Sequence, residues 1–149
     1  MDKIKYKNTD SRCACKVSLD IIGDRWSLII VRDLFRGKNT YSQFLNESPE
    51  RIASNVLSDR LKKLVEFKII NYRVNLLDRK IKEYYLTDRG VDLYDIIYEL
   101  QRWTIDNVDF NQSSNTKKFK KLTKSKRKDI IISNFKSQYK KSRIKDFGV

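Results

Sequence analysis

The amino-acid sequence predicts a mostly helical α+β fold, in which four helices lead into a two-stranded hairpin and a further helix. Three observations carry this. Apolar residues recur at helical spacing along most of the chain, the pattern switches to alternation over residues 69–87, and only four glycines and one proline interrupt 149 residues. Hydrophobic residues make up 40% of the chain, enough for a core, and the length suits one domain with an appendage.

Taken in order, helical periodicity runs from Val17 to Phe35, broken by Gly23, with Asp24 placed to cap the second helix. Trp26, Ile29, Ile30, Asp33 and Leu34 fall at i, i+3, i+4, i+7 and i+8, a buried face with one polar intruder. Gly37 closes this helix. Thr40 and Gln43 have the spacing of a capping box and open a short helix ending near Asn46. After Ser48-Pro49, a helix spans Ser54 to Phe67 on an apolar stripe of Leu57, Leu61, Leu64 and Val65. Asn55, Asp59, Lys62 and Glu66 lie opposite that stripe, with Ser58 and Lys63 at its margins.

Next, Ile70, Tyr72, Val74 and Leu76 alternate with polar residues, Asp78-Arg79 supplies a turn, and Ile81, Glu83, Tyr84 and Leu86 form the returning strand. Thr87 caps the following helix, with Asp88 in its first turn and Leu93, Ile96, Ile97, Leu100 and Trp103 as its stripe. Residues 111–116 read as a polar linker, after which Ile131, Phe135 and Tyr139 are spaced for a terminal helix.

The net charge of +14 is unevenly placed. Residues 1–110 hold 20 Lys and Arg against 17 Asp and Glu, net +3, whereas residues 111–149 hold 13 against 2, net +11. We therefore divide the chain into a domain over 1–110 and a basic extension over 111–149. A solvated arm and a nonspecific DNA clamp are both open readings of that extension, with membrane-surface binding behind them.

The order of elements is that of a winged helix-turn-helix, whose fourth helix can enter a major groove about 12 Å wide while the hairpin reaches the flanking backbone. Several stretches also resemble the HxlR-type family of transcription factors, over roughly residues 12–106. They are Cys13 ahead of Leu19-Asp20-Ile21-Ile22-Gly23-Asp24-Arg25-Trp26, Leu34-Phe35-Arg36-Gly37, and Thr40-Tyr41 with Phe44-Leu45. Leu57-Ser58-Asp59-Arg60-Leu61-Lys62-Lys63-Leu64 and Tyr84-Tyr85-Leu86-Thr87-Asp88-Arg89-Gly90 continue the match. The resemblance implies a homodimer, a recognition helix at Ser54 to Phe67, a hairpin wing, and in some members a response to oxidants or electrophiles through the cysteine that matches Cys13. Where the family often has proline after that cysteine, this chain has Ala14 and a second thiol, Cys15; the tip Leu77-Asp78-Arg79-Lys80 lacks the common prolines.

The expected function is thus sequence-specific binding of a double-stranded DNA operator by a homodimer that regulates transcription, with a small-molecule or oxidant effector as a further expectation. The alternative is a basic winged-helix module that binds RNA or a protein partner. Candidate DNA contacts are Thr40, Ser54, Asn55, Ser58, Asp59, Lys62 and Lys63 on the helices, and Arg73, Arg79, Lys80 and Lys82 on the wing. Asn pairs with adenine, Lys with guanine or phosphate, and Ser with either. Asp59 either accepts from cytosine or orients Lys62 and Lys63, and Arg60, nearer the apolar stripe, pairs internally. Leu93, Ile96, Ile97, Leu100 and Trp103 are the candidate dimer interface, and Trp26 and Trp103 are core or interface anchors.

Cys13 can be a structural thiol, a switch favoured as thiolate by neighbouring Arg12 and Lys16, or a metal ligand. Histidine is absent, and two thiols alone do not fill a zinc shell, so we expect no metal and no cofactor. Without histidine, a phosphate-cradling glycine loop, paired carboxylates or a nucleophilic triad, an enzyme is not expected. No apolar run spans a bilayer and residues 1–12 lack a secretory pattern, so a cytoplasmic protein with no membrane partner is expected.

Overall fold

The computed structural model describes residues 1–8 and 10–149. It places helices α1 (Ala14–Ile22), α2 (Ser27–Phe35), α3 (Tyr41–Glu47) and α4 (Ser54–Glu66), and strands β1 (Ile70–Val74) and β2 (Lys82–Leu86). Helices α5 (Asp88–Asp92), α6 (Tyr94–Asn107), α7 (Ser114–Ser125) and α8 (Lys128–Phe147) complete the chain. Mostly helical with one antiparallel pair of strands, it has the fold class that the sequence predicts. Among the described residues no helix is long and apolar enough to cross a membrane.

Two compact units divide after Gly90, one over Met1–Gly90 and the other over Val91–Val149. This division falls earlier than Phe110, because α6 packs its aromatic residues with the basic helices that follow it.

In the first unit, Gly23 ends α1 where a side chain could not fit: a Cβ would stand 2.3 Å from the Leu19 carbonyl oxygen. Asp24 then starts α2, its Oδ1 accepting from the backbone N–H groups of Trp26 and Ser27, both at 2.9 Å. Those bonds satisfy donors that a helix start leaves open. Gly37 closes α2 at φ 87°, a left-handed conformation that glycine adopts freely. The capping box at α3 is present, with Thr40 Oγ1 accepting from the Gln43 N–H and Gln43 reaching back to the Thr40 N–H. Ile30, Val31 and Leu34 of α2, Phe44 of α3, and Leu57, Leu61 and Leu64 of α4 are buried together with Ile70 and Leu86 of the hairpin.

The polar intruder of α2, Asp33, is buried and held by Arg32 at 2.8 Å and Lys38 at 3.8 Å. Arg32 also grips Glu50 with both terminal nitrogens, at 2.5 and 2.9 Å, and Ser48 donates to Glu50 at 2.8 Å. This closes the α3–α4 turn onto α2, with Arg51 in a left-handed conformation, φ 54°. The Arg32 bonds hold the Glu50 carboxyl down to about 2, from an ordinary value of 4.5, against the opposing effect of burial.

Glu50→Gln is expected to lower unfolding stability by about 2 kcal/mol at pH 7, since it leaves the guanidinium half-paired. A carboxylate with a depressed folded-state pKa contributes its stability above its unfolded value and loses it as pH falls through the folded one. The gap between variant and parent in urea titrations should therefore close between pH 4.5 and pH 2. A gap that stays constant over that range would assign the loss to something other than the ion pair.

The hairpin is shorter than alternation predicts. Register pairs Ile70 with Leu86, Tyr72 with Tyr84 and Val74 with Lys82, and one further backbone bond, from the Asn75 N–H to the Ile81 carbonyl at 2.9 Å, closes the ladder. Leu76 and Ile81 lie outside the strands, because the Asn75 side chain accepts from the N–H groups of Leu77 (2.8 Å) and Asp78 (3.0 Å) and folds the tip over.

In the second unit, the helix expected after Thr87 is interrupted at Leu93 into α5 and α6. Tyr98 of α6 meets Phe119 of α7 edge-on at 5.3 Å, and Tyr94 stacks on Phe135 of α8 at 4.8 Å. The terminal helix expected from Ile131, Phe135 and Tyr139 is α8, with Ile131 and Ile132 buried. The expected linker 111–116 is not wholly linker. Ser113 Oγ accepts from the Thr116 N–H at 3.2 Å and starts α7 at Ser114.

Candidate nucleic-acid interface

The recognition geometry begins with α4, whose buried leucines point its opposite face outward. Ser54, Asn55, Ser58, Asp59 and Lys62 are all exposed on it. Two of its cations are turned the other way. Arg60 Nε donates to Asp24 Oδ1 at 3.0 Å, and Lys63 Nζ donates to the Asp20 carbonyl at 3.1 Å while lying 3.8 Å from Asp24. Arg60 therefore pairs internally, as expected, and also reaches Asp59. Lys63, expected at the margin of the apolar stripe and as a DNA contact, is turned inward instead, because acceptors at the α1–α2 corner lie within its reach.

Asp24 thus joins the start of α2 to the middle of α4. Burial pushes its carboxyl up, but the bonds from Ser27 Oγ, from the Trp26 and Ser27 N–H groups and from Arg60 outweigh this and hold it low. On the other flank, the Tyr41 hydroxyl donates to the Ser54 carbonyl at 3.1 Å and ties α3 to the first turn of α4.

The wing stands beside this helix. Thr40 bridges to Glu83 and the Tyr84 N–H donates to the Asn39 carbonyl at 2.7 Å, so the hydroxyl of Thr40 serves the cap while its backbone meets β2. Arg73 Nε donates to Glu83 at 3.2 Å. Lys82 Nζ sits 4.4 Å from the Tyr72 ring centre, a cation–π contact. Arg79 and Lys80 project from the tip, exposed.

Between α4 and the wing lies a cleft of about 510 Å³, lined by Tyr41, Ser58, Lys62, Tyr72, Lys82 and Tyr84. It brings Ser58, Lys62 and Lys82 together on one surface. Sequence reasoning missed Tyr41 and Tyr72 here, although the cross-strand pair Tyr72 and Tyr84 was visible as alternation. It also missed the tip leucines, Leu76 at 96% and Leu77 at 99% exposure.

The model of the HxlR-like helix-turn-helix family matches residues 21–112. The chain belongs to this family of transcriptional regulators. One relative, the uncharacterised HTH-type transcriptional regulator MT3179 of Mycobacterium tuberculosis, is 34% identical over 86 residues; the match covers 58% of this chain and 53% of that one, so the chain spans about half the length of this curated relative. The crystal structure of PA1607, a candidate transcription factor, superposes with a TM-score of 0.61 at 33% identity, covering 70% of this chain and 71% of that one. The redox regulator HypR in its oxidised form superposes with a TM-score of 0.58 at 27% identity, covering 66% of this chain and all of HypR. About a third of this HxlR-like chain thus has no counterpart in HypR.

Two further sets of predicted residues remain. Cys13 stands at the N-cap position of α1 without a side-chain capping bond and is exposed, as is Cys15, and both thiols are free. Neighbouring Lys16 is occupied by Asp20 at 2.5 Å. On α6, Ile96 (40% exposed), Leu100 (51%) and Trp103 (63%) share an open face, with Leu93 half-buried. Ile97 departs from the expected interface, since it is buried on the side of α6 that carries Tyr94 and Tyr98.

Proposed function

We propose that this chain regulates transcription as a homodimer that binds a double-stranded DNA operator in a sequence-specific manner. The observation that carries the reading is the exposed row Asn55, Ser58, Asp59 and Lys62 on α4, set beside the cationic wing. In this arrangement α4 enters the major groove and reads bases, while Arg79, Lys80 and Lys82 meet phosphate or the minor groove, with Arg73 shared between Glu83 and the backbone. Ser54 and the N-terminal turn of α4 face the nearer phosphates. The open face of α6 supplies the symmetric contact between two copies. None of these roles calls for catalysis or a cofactor.

Cys13 is the proposed sensor. An electrophile such as a quinone adds to its sulfur, or an oxidant such as diamide takes two electrons and two protons from a pair of these thiols and leaves an intersubunit disulfide. The free, exposed position of Cys13 supports this, as does the likeness to a redox regulator.

One experiment addresses both halves. Hydroxyl-radical footprinting on DNA enriched from a random library should show two protected half-sites about 34–36 Å apart, the spacing of one helical turn. Brief diamide treatment should erase the footprint for the parent and leave it for Cys13→Ser. Failure to enrich any duplex sequence would overturn the operator reading. A diamide effect equal in both proteins would return Cys13 to a structural role.

A further inference from the structure

The basic extension does not carry its charge uniformly. At the start of α8 and along its first half, three cations hold carboxylates: Lys128 pairs with Glu99, Lys136 with Asp95 and with Asp92 (3.4 Å), and Arg127 with Asp129 (2.9 Å). Helix α7 differs. Ser114–Ser125 contains five lysines and no carboxylate, and none of Lys117, Lys120, Lys121 and Lys124 forms an ion pair among the described residues.

These four positions are i, i+3, i+4 and i+7, one continuous face of the helix. The opposite face holds Phe119, buried against Tyr98, and half-buried Leu122. The chain therefore fixes four like charges side by side on a packed helix. Such spacing costs helix stability through repulsion, and no ion pair of these four lysines among the described residues offsets it.

We infer that the lysine face of α7 is a second DNA-binding surface, which grips the phosphate backbone without reading its sequence. The inference rests on the operator reading above and extends it beyond the family match, which ends at residue 112, ahead of this helix. Charge density suits the assignment. Seven residues of helix advance about 10 Å, and the same length of duplex carries about six phosphates. An anionic membrane surface fits less well. Helices that lie in such surfaces insert apolar side chains, and the apolar residues of α7 are turned into the packing instead.

The test uses the full chain with Lys117→Gln, Lys120→Gln, Lys121→Gln and Lys124→Gln combined. Glutamine keeps the helix propensity and removes the charge. Equilibrium binding to operator and to random duplex is measured over a salt series, with circular dichroism to establish that the helix is retained. The slope of log K against log salt should flatten by about three to four per protomer for both DNAs. Between about 50 and 200 mM salt, the parent should thus lose roughly 100-fold more affinity per protomer than the variant does. The ratio of operator to random affinity should be unchanged, because phosphate contacts select no sequence. Lys128→Gln, which removes a charge already held by Glu99, should leave the slope as it was.

If the parent selects an operator and the fourfold variant keeps the parent's slope, the inference falls while the operator reading stands. If the ratio collapses along with the slope, α7 is part of base reading and the inference is again wrong. Binding of the parent to phosphatidylglycerol vesicles that the variant loses, with DNA slopes equal, would assign the face to membranes. A parent with no operator preference is the separate failure of the operator reading.

Discussion

Replacing Leu100 and Trp103 together by glutamate is expected to give a monomer whose operator affinity is at least 100-fold weaker. Both side chains are more than half exposed in the single chain, so their replacement removes little from its own core. In a symmetric interface each would be buried twice, once per copy. Full burial of such a side chain is worth about 1.5–3 kcal/mol, and a carboxylate placed there without a partner opposes association further. Once the copies separate, the second half-site no longer binds as an intramolecular event, and linkage of that kind is worth about 100- to 10,000-fold. Sedimentation velocity at micromolar concentration gives the oligomeric state and a gel-shift series gives the affinity. A variant that sediments as the parent does would place the interface elsewhere. Ile97→Ala should behave differently, lowering thermal stability, because Ile97 belongs to the inner side of α6.

The second large effect is expected at α4. Asn55→Ala should reduce the ratio of operator to random affinity by about 10-fold, within the 1–3 kcal/mol that a good base contact contributes, and should leave random DNA binding unchanged. Lys62→Ala should reduce the ratio as well if its partner is guanine. If its partner is phosphate, it should instead flatten the salt slope by about 0.9 per protomer without changing the ratio. Binding isotherms with both DNAs at several salt concentrations separate these outcomes. An Asn55→Ala protein with the parent's ratio would mean that this face of α4 does not read bases.

These substitutions could be chosen because α4 was legible in the sequence. Leu57, Leu61 and Leu64 repeat over two turns, and with Val65 beside them they define the back of the helix. The capping box at Thr40 was legible for a similar reason: both partners are three residues apart. The misplaced features depend on partners that spacing does not reveal. Lys63 finds its acceptor 43 residues earlier in the chain, at Asp20. Ile96 and Ile97 are adjacent on one broad apolar face, and periodicity cannot say which of them packs inward with Tyr94 and Tyr98 and which stays exposed. The early end of β1 follows from a side-chain bond of Asn75 to the backbone, which leaves the alternation of Val74 and Leu76 untouched while ending the ladder. Helix α7 was hidden for a compositional reason, since the residues that cap its start also mark loops.

The bonds from Arg60 to Asp24 and from Lys63 to the Asp20 carbonyl turn α1, the corner after it and α4 into a single lever. One arm is α1, nine residues with Cys13 at the end away from the corner. A nine-residue helix is about 13 Å long, so a group that pries the Cys13 end aside by roughly 3 Å turns the arm through about 13°. Helix α4, with thirteen residues, is the other arm. Because Arg60 and Lys63 hold it near its middle, the free arm toward Ser54 is about 9 Å long, and the same rotation moves its end by roughly 2 Å. On the reading proposed above, a substituent only a few atoms wide on the Cys13 sulfur would thereby displace the outer row of α4 by most of a hydrogen-bond length.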